Sequence, residues 1–153
     1  MRRKEREITD IKEMEEIMHK AEVCHLGLAV DNTPYVVPVS YGYEDNCLYI
    51  HCAKEGRKLD MIRKNNTVCF QMDIDAGITG KDKPACGWST TYRSVIGYGE
   101  AFVVEDFQQK KSALDIIMRH YSNKKSFEYR EKAVEDVGII KIVIHHLSGK
   151  KSI

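Results

Sequence analysis

The residues best suited to chemistry lie between Leu48 and Lys58, in the run Leu-Tyr-Ile-His-Cys-Ala-Lys-Glu-Gly-Arg-Lys. Apolar, aromatic and β-branched residues give way to small ones, and Gly56, Arg57 and Lys58 then open a segment of helical character. The chemistry this offers is phosphate binding. The first N–H groups of a helix have no partner within it, the helix dipole is positive at that end, and two fixed cations add charge-assisted hydrogen bonds. The dipole alone contributes only about 0.3–1 kcal/mol per charge, so the same residues also read as a solvated helix face.

Other chemistries fit less well. Five cysteines and six histidines invite a metal site, but Cys24-His25 and His51-Cys52 are adjacent pairs, and neighbours in a strand point to opposite faces. No metal ligand set is assigned, and Cys47, Cys52 and Cys69 read as small buried hydrophobes. His145-His146 reads as one buried and one exposed strand residue. There is no Gly-x-Ser-x-Gly elbow, no Gly-x-Gly-x-x-Gly and no Gly-x-x-x-x-Gly-Lys-Ser/Thr, which removes the common hydrolase and nucleotide loops. A planar ligand remains. Pro38-Val-Ser-Tyr41, Ile50-His-Cys-Ala53, Gly56-Arg-Lys58 and Trp88 with Tyr92-Arg93-Ser94 offer flat surfaces, small residues and cations. Each has a plainer reading: Tyr41 and Tyr92 as cross-strand packing, Trp88 as a loop anchor, Arg93 as a surface charge.

The elements that must position these residues follow from periodicity. Asp10 and Glu13 form a capping box ahead of Ile11, Met14, Ile17, Met18 and Ala21, which lie on one helix face. Strands are predicted at Cys24 to Val30, Tyr35 to Tyr43, Leu48 to Cys52, Thr67 to Ile74, Thr90 to Val104 and Val137 to His145, with turns at Asp31-Asn32 and Glu44-Asp45-Asn46. Pro38 marks its strand as irregular or an edge. Gly97 and Gly99 predict a bulge that helps the sheet close, and Gly77 to Gly87 a hairpin tip. Helices are predicted from Leu59 to about Asn65, from Asp106 with Ala113, Leu114, Ile117 and Met118 apolar, and at Phe127 to Val134. Mostly hairpin-joined strands favour an antiparallel barrel over a doubly wound parallel sheet.

Composition sets the bounds. The 153 residues suit one domain, 1–153, with a core that needs no disulfides. Lys and Arg number 24 against 23 Asp and Glu, so no broad nucleic-acid surface is expected and any anion site must be local. An odd cysteine count without Cys-x-x-Cys points to a reducing compartment. No apolar run of about 18 residues occurs, and the charged start precedes no apolar leader core, so a cytoplasmic, membrane-free protein is expected.

Taken in order, Met1-Arg-Arg-Lys-Glu-Arg-Glu-Ile8, Pro34-Tyr-Val-Val-Pro-Val-Ser-Tyr-Gly-Tyr43, Leu48 to Lys58, Val68-Cys-Phe, Ser94-Val-Ile-Gly-Tyr-Gly-Glu-Ala101 and Leu147-Ser-Gly-Lys-Lys151 resemble the nitroimidazole-resistance group of the pyridoxamine 5'-phosphate oxidase-like flavoproteins. The resemblance spans nearly the whole chain. It implies a mainly β fold, a six-stranded antiparallel split β-barrel with flanking helices, and a homodimer holding FMN, or FAD, between subunits. By position it implies that Val37, Pro38, Val39, Ser40 and Tyr41 lie along the isoalloxazine, with Ile50, His51, Cys52 and Ala53 as a second wall. It places Arg57 and Lys58 on the phosphate, and Trp88, Tyr92, Arg93 and Ser94 near the flavin from the groove or the partner. His51 is the implied proton donor or substrate contact. The implied activity is reduction of a small planar acceptor such as a nitroaromatic. The alternative is a non-catalytic module holding flavin, or haem through His25, His51 or His145. The closing Val143 to Ile153 lacks the arginine-rich pattern with which pyridoxamine phosphate oxidases hold their substrate, so the resemblance does not extend to vitamin B6 oxidation.

Overall fold

The computed structural model describes residues 3–152; Met1 and Arg2 of the opening motif and the terminal Ile153 lie outside them. Eight strands form one antiparallel sheet: β1 (Glu7–Ile8), β2 (Cys24–Val30), β3 (Thr33–Val39), β4 (Gly42–Glu44), β5 (Cys47–Ala53), β6 (Thr67–Thr79), β7 (Ser89–Val104) and β8 (Val137–Ser152). Four α-helices flank it: α1 (Ile11–Lys20), α2 (Arg57–Lys64), α3 (Phe107–Tyr121) and α4 (Glu131–Asp136). The sheet order is β3-β2-β6-β7-β8-β5-β4, with β1 added against β8.

That order dictates the shape. β3 and β4 are opposite edges of the sheet, yet only Ser40 and Tyr41 separate them in the chain. Laid flat, the six interstrand steps between these edges would span roughly 29 Å at about 4.8 Å each. The backbone from Val39 to Gly42 reaches at most about 11 Å. The sheet must therefore roll until its edges meet, without a ladder between β3 and β4 to seal them, and a split barrel results. The expected six strands become eight because Tyr35 to Tyr43 divides at this crossing and because Glu7–Ile8 pairs with Lys150 and Gly149.

Tyr41 secures the crossing. Its ring is fully buried, its hydroxyl lies 2.6 Å from the Met18 carbonyl and 3.0 Å from that of Ala21, and its N–H donates to the Tyr121 hydroxyl at 3.1 Å. The His120 ring packs on the Tyr41 ring at 4.4 Å and meets the Ala21 carbonyl at 2.8 Å. Burial pushes the Tyr41 phenol far above its ordinary value. Next to it, Gly42 allows α3 to approach: a Cβ there would stand 2.7 Å from backbone atoms of Ile116 and Ile117.

Inside the barrel, Leu26, Leu48, Ile50, Phe70, Met72, Ile140 and Ile142 pack with Ile17 and Met18 of α1. A smaller cluster of Val104, Ala113, Ile117 and Ile139 seats α3 on the outer face of the sheet. Local expectations meet the structure at both tight turns, where Asp31, Asn32, Asp45 and Asn46 all have positive φ. Pro34 and Pro38 lie on the edge strand β3, whose other side has no ladder to supply. Asp10 caps α1 through the Lys12 N–H, but Glu13 completes no capping box; it turns to Lys151 Nζ at 2.9 and 3.0 Å. The bulge falls between Tyr98 and Gly99 and steps His145 out of register, so His145 and His146 are both exposed.

Replacing Tyr41 by Phe leaves the shape but strands the α1 carbonyls. A loss of about 1–3 kcal/mol is expected, read as a melting midpoint lower by roughly 2–10 °C. An unchanged midpoint would show that this hydroxyl does not secure the crossing.

Candidate functional site

β5 delivers the chain to the site. Along it Leu48 and Ile50 point into the barrel and Cys52 packs against the same core, whereas His51 is exposed on the opposite face, in register with Ile139. The strand ends at Ala53, and Gly56 turns the chain into α2 with φ of +134°, a conformation that favours glycine. No side chain caps α2, and its first closing bond runs from the Asp60 N–H to the Gly56 carbonyl at 3.1 Å. The N–H groups of the first turn thus face outward without an intrahelical partner. A Cβ built on Gly56 would meet nothing within 4 Å, so the space over this turn is open.

Around that space lies a cavity of about 220 Å³ lined by Tyr35, Cys52, Ala53, Gly56, Arg57 and Lys58 among others. The Arg57 guanidinium sits 4.5 Å from the centre of the Tyr35 ring, a cation–π contact that holds the cation across the gap between β3 and α2. Burial raises the Cys52 thiol, with the nearby Lys58 charge opposing it. A thiol kept protonated beside a lysine leaves that ammonium free for another anion. Free backbone donors, an Arg fixed on an aromatic face and a Lys with no carboxylate bonded to it among the described residues make a cradle for phosphate or carboxylate. Tyr35 was not singled out from the sequence; the only signal for it is its inward parity with Val37 and Val39 on a strand leading to the crossing.

The structure brings together only part of the predicted set. Arg57, Lys58, Cys52 and Ala53 share the cavity. Val37 and Val39 turn toward the core, Pro38 and Ser40 are exposed, and the Tyr41 phenol is committed to α1. This segment can therefore offer backbone and the outward Pro38 and Ser40 to a ligand, but not the Tyr41 hydroxyl. Trp88, Tyr92, Arg93 and Ser94 do not line the cavity. Trp88 anchors the β6–β7 loop by donating to the Lys83 carbonyl at 3.1 Å, and the Ser94 hydroxyl donates to the Lys150 carbonyl at 3.3 Å. The Lys150 ammonium, 5.8 Å from the Tyr92 ring, pulls the Tyr92 phenol down. Arg93 bridges Asp75 at 2.8 Å and Glu16 at 3.3 Å, tying the β6–β7 arm to α1.

With this geometry in place, comparison with known proteins is decisive on one point. The profile of the family described as pyridoxamine 5'-phosphate oxidase matches residues 10–151. The chain belongs to that family. No curated protein sequence matches. Among solved structures, a candidate 5-nitroimidazole antibiotic resistance protein from Bacteroides thetaiotaomicron is 34% identical, with a TM-score of 0.84 over 95% of this chain and 86% of its own. The flavocytochrome Anf3 from Azotobacter vinelandii, at 18% identity and TM-score 0.86, covers 100% of this chain and 72% of its own. The FAD and heme binding protein from Mycobacterium smegmatis, at 16% and 0.85, covers 96% and 73%. At these lower identities the last two share the fold.

The Arg93 bridge makes a pH-dependent contribution. Hydrogen bonds from Lys20 and Arg93 hold the Glu16 carboxyl below its ordinary value of 4.5. A lowered folded value means stabilisation above the unfolded value that is lost as pH falls through the folded one. Arg93→Ala should melt below the native protein at pH 7, with the gap narrowing as pH falls below the ordinary 4.5 of Glu16 and its carboxyl protonates. A gap independent of pH would remove the ion pairs as its cause.

Proposed function

We propose that this member of the pyridoxamine 5'-phosphate oxidase family is a flavoprotein that reduces a small planar acceptor, a nitroaromatic being the class suggested by its 34% identical relative. The observation that carries the reading is the cradle at the β5–α2 junction, where Gly56, Arg57 and Lys58 meet open space beside Tyr35. Its donors fit a flavin phosphate, whether of FMN or FAD. Pro38 and Ser40, exposed on the edge strand that also carries Tyr35, would offer a surface to the ring. Bound flavin would supply the redox chemistry, accepting electrons from a reduced nicotinamide or similar donor and passing them on.

The chain's own residues have separate tasks. Arg57 and Lys58 hold the phosphate, and the first-turn N–H groups of α2 orient it. His51, exposed on the other face of β5, holds a proton for the acceptor at a ring nitrogen. It reaches the same ligand only if the site is completed by a second copy, which is the reason for proposing a homodimer with flavin at the subunit interface. The face available for pairing runs in register across five strands, from Val36 through Gly27, Cys69 and Tyr98 to His146. Val36 is 65% exposed, Tyr98 50% and the neighbouring Phe102 46%, an apolar strip of the kind that marks an interface. Trp88 and Tyr92 would approach the flavin from that partner. Five free cysteines suit the reducing cytoplasm, and no helix among the described residues is long and apolar enough to cross a membrane.

Purified protein, reconstituted with FMN and with FAD and passed through gel filtration, should remain yellow. Arg57→Ala with Lys58→Ala should weaken flavin binding about a hundredfold or more, from two lost charge-assisted contacts, with an unchanged melting midpoint. Full retention of flavin by this variant, or none by the native protein, would overturn the reading. His51→Ala should keep its flavin and lose turnover by roughly 10²-fold or more; unchanged turnover would take the proton-donor role away from His51.

A further inference from the structure

α3 does not lie flush on the sheet. It is seated through Val104, Ala113, Ile117 and Ile139, with Tyr49 of β5 packed against that cluster. Alongside the contact a cavity of about 300 Å³ remains between the helix and strands β5, β7 and β8. None of its lining residues lines the phosphate cradle, and the proposed flavin function does not use it. The volume stands at the lower end of the ~300–1,000 Å³ of small-molecule sites, which suits a single ring.

The lining is simple in its chemistry. Val104, Ala113 and Ile116, all buried, make an apolar floor. Gln108, Gln109 and Ser112, exposed along α3, put neutral donors and acceptors at the rim. One charge completes it, the ammonium of Lys141, and no carboxylate accompanies that charge in the lining. Lys141 and Tyr49 are partners in register across β8 and β5, and the ammonium stands 5.9 Å from the centre of the Tyr49 ring. Such a contact positions a cation without neutralising it. Burial pushes the Tyr49 phenol up, with the Lys141 charge opposing, so the ring partner carries no charge at neutral pH. The acidic residues of the neighbouring strands have other partners: Glu44 pairs with Arg119 at 3.0 Å, and Glu100 meets His145 at 3.0 Å.

A half-buried cation beside an apolar floor gains most from an anion that brings its own apolar body. The single charge favours a carboxylate over a phosphate dianion, and the Tyr49 ring favours a flat ring over a chain. We propose that the groove between α3 and β8 binds a small aromatic carboxylate, its ring on Val104, Ala113 and Ile116 and its carboxylate on Lys141. The site does not depend on flavin binding.

The whole protein should be titrated with benzoate and with benzamide, its uncharged counterpart, following the methyl signals of Ala113 and Ile116 by NMR. Benzoate should shift both and bind at least about tenfold more tightly than benzamide. Lys141→Met, which keeps an apolar stem, should lose about tenfold for benzoate with benzamide changed less than about twofold. Ser112→Trp, at an exposed helix position, should weaken both ligands by filling the cavity. Arg57→Ala with Lys58→Ala should leave the benzoate affinity within about twofold. Unshifted methyls, equal affinities for the two ligands, or full retention of benzoate by Lys141→Met would overturn the proposal. Loss of benzoate in the Arg57 and Lys58 variant instead would assign the carboxylate to the cradle, overturning this site while supporting the anion chemistry of that one.

Discussion

Everything in this fold depends on the passage of the chain from one edge of its sheet to the other in two residues. Ser40 and Tyr41 admit no flat solution, so barrel curvature is a matter of chain length rather than of side-chain preference. The crossing has no ladder to hold it, and its N–H and hydroxyl must find partners elsewhere. Tyr41 meets this by entering the C-terminal end of α1, where carbonyls at 18 and 21 lack helical partners, while Tyr121 and His120 bring α3 to the same point. One buried phenol thus joins both sheet edges, α1 and α3.

The site inherits its position from that joint. With β3 and β4 drawn together, β3 passes close enough to the start of α2 for Tyr35 to underlie Arg57. β5 supplies the core on one face and an exposed His51 on the other, because strand side chains alternate. This alternation puts the Ile50 and His51 side chains on opposite faces of β5. The bridge from Arg93 to Glu16 and Asp75 serves the same framework, since it holds the long β6–β7 arm against α1. Residues chosen from the sequence for their charge or aromaticity are in this way divided between ligand contact and scaffold.

What could be read from the sequence was what is local. Asp31-Asn32 and Asp45-Asn46 tolerate the left-handed conformation of tight hairpin turns, and the helix start at Arg57 is legible from Gly56 ahead of it, although dipole and charge alone leave its cations between an anion site and a solvated helix face. Non-local features were not legible. Tyr35 to Tyr43 reads as one strand because nothing in its alternation says that it changes partners at Ser40. His145-His146 reads as in and out because a bulge shows only in register. Glu13 looks like a capping residue until Lys151, far along the chain, comes within 2.9 Å. The split-barrel topology itself entered through resemblance over the whole chain, since periodicity alone specifies an antiparallel barrel without its strand order.

The nearly balanced composition then has a structural meaning. With a net charge of +1 there is no broad field to collect anions, so selectivity must come from cations fixed individually. Arg57 is fixed by an aromatic face and Lys110 by two carbonyls. Neither is neutralised by a bonded carboxylate among the described residues, in contrast to Arg93, which has two. An aromatic partner positions a cation without cancelling its charge, as the Tyr35 ring does for Arg57. Arg57, at the start of α2, thus keeps a charge that an anionic ligand can meet.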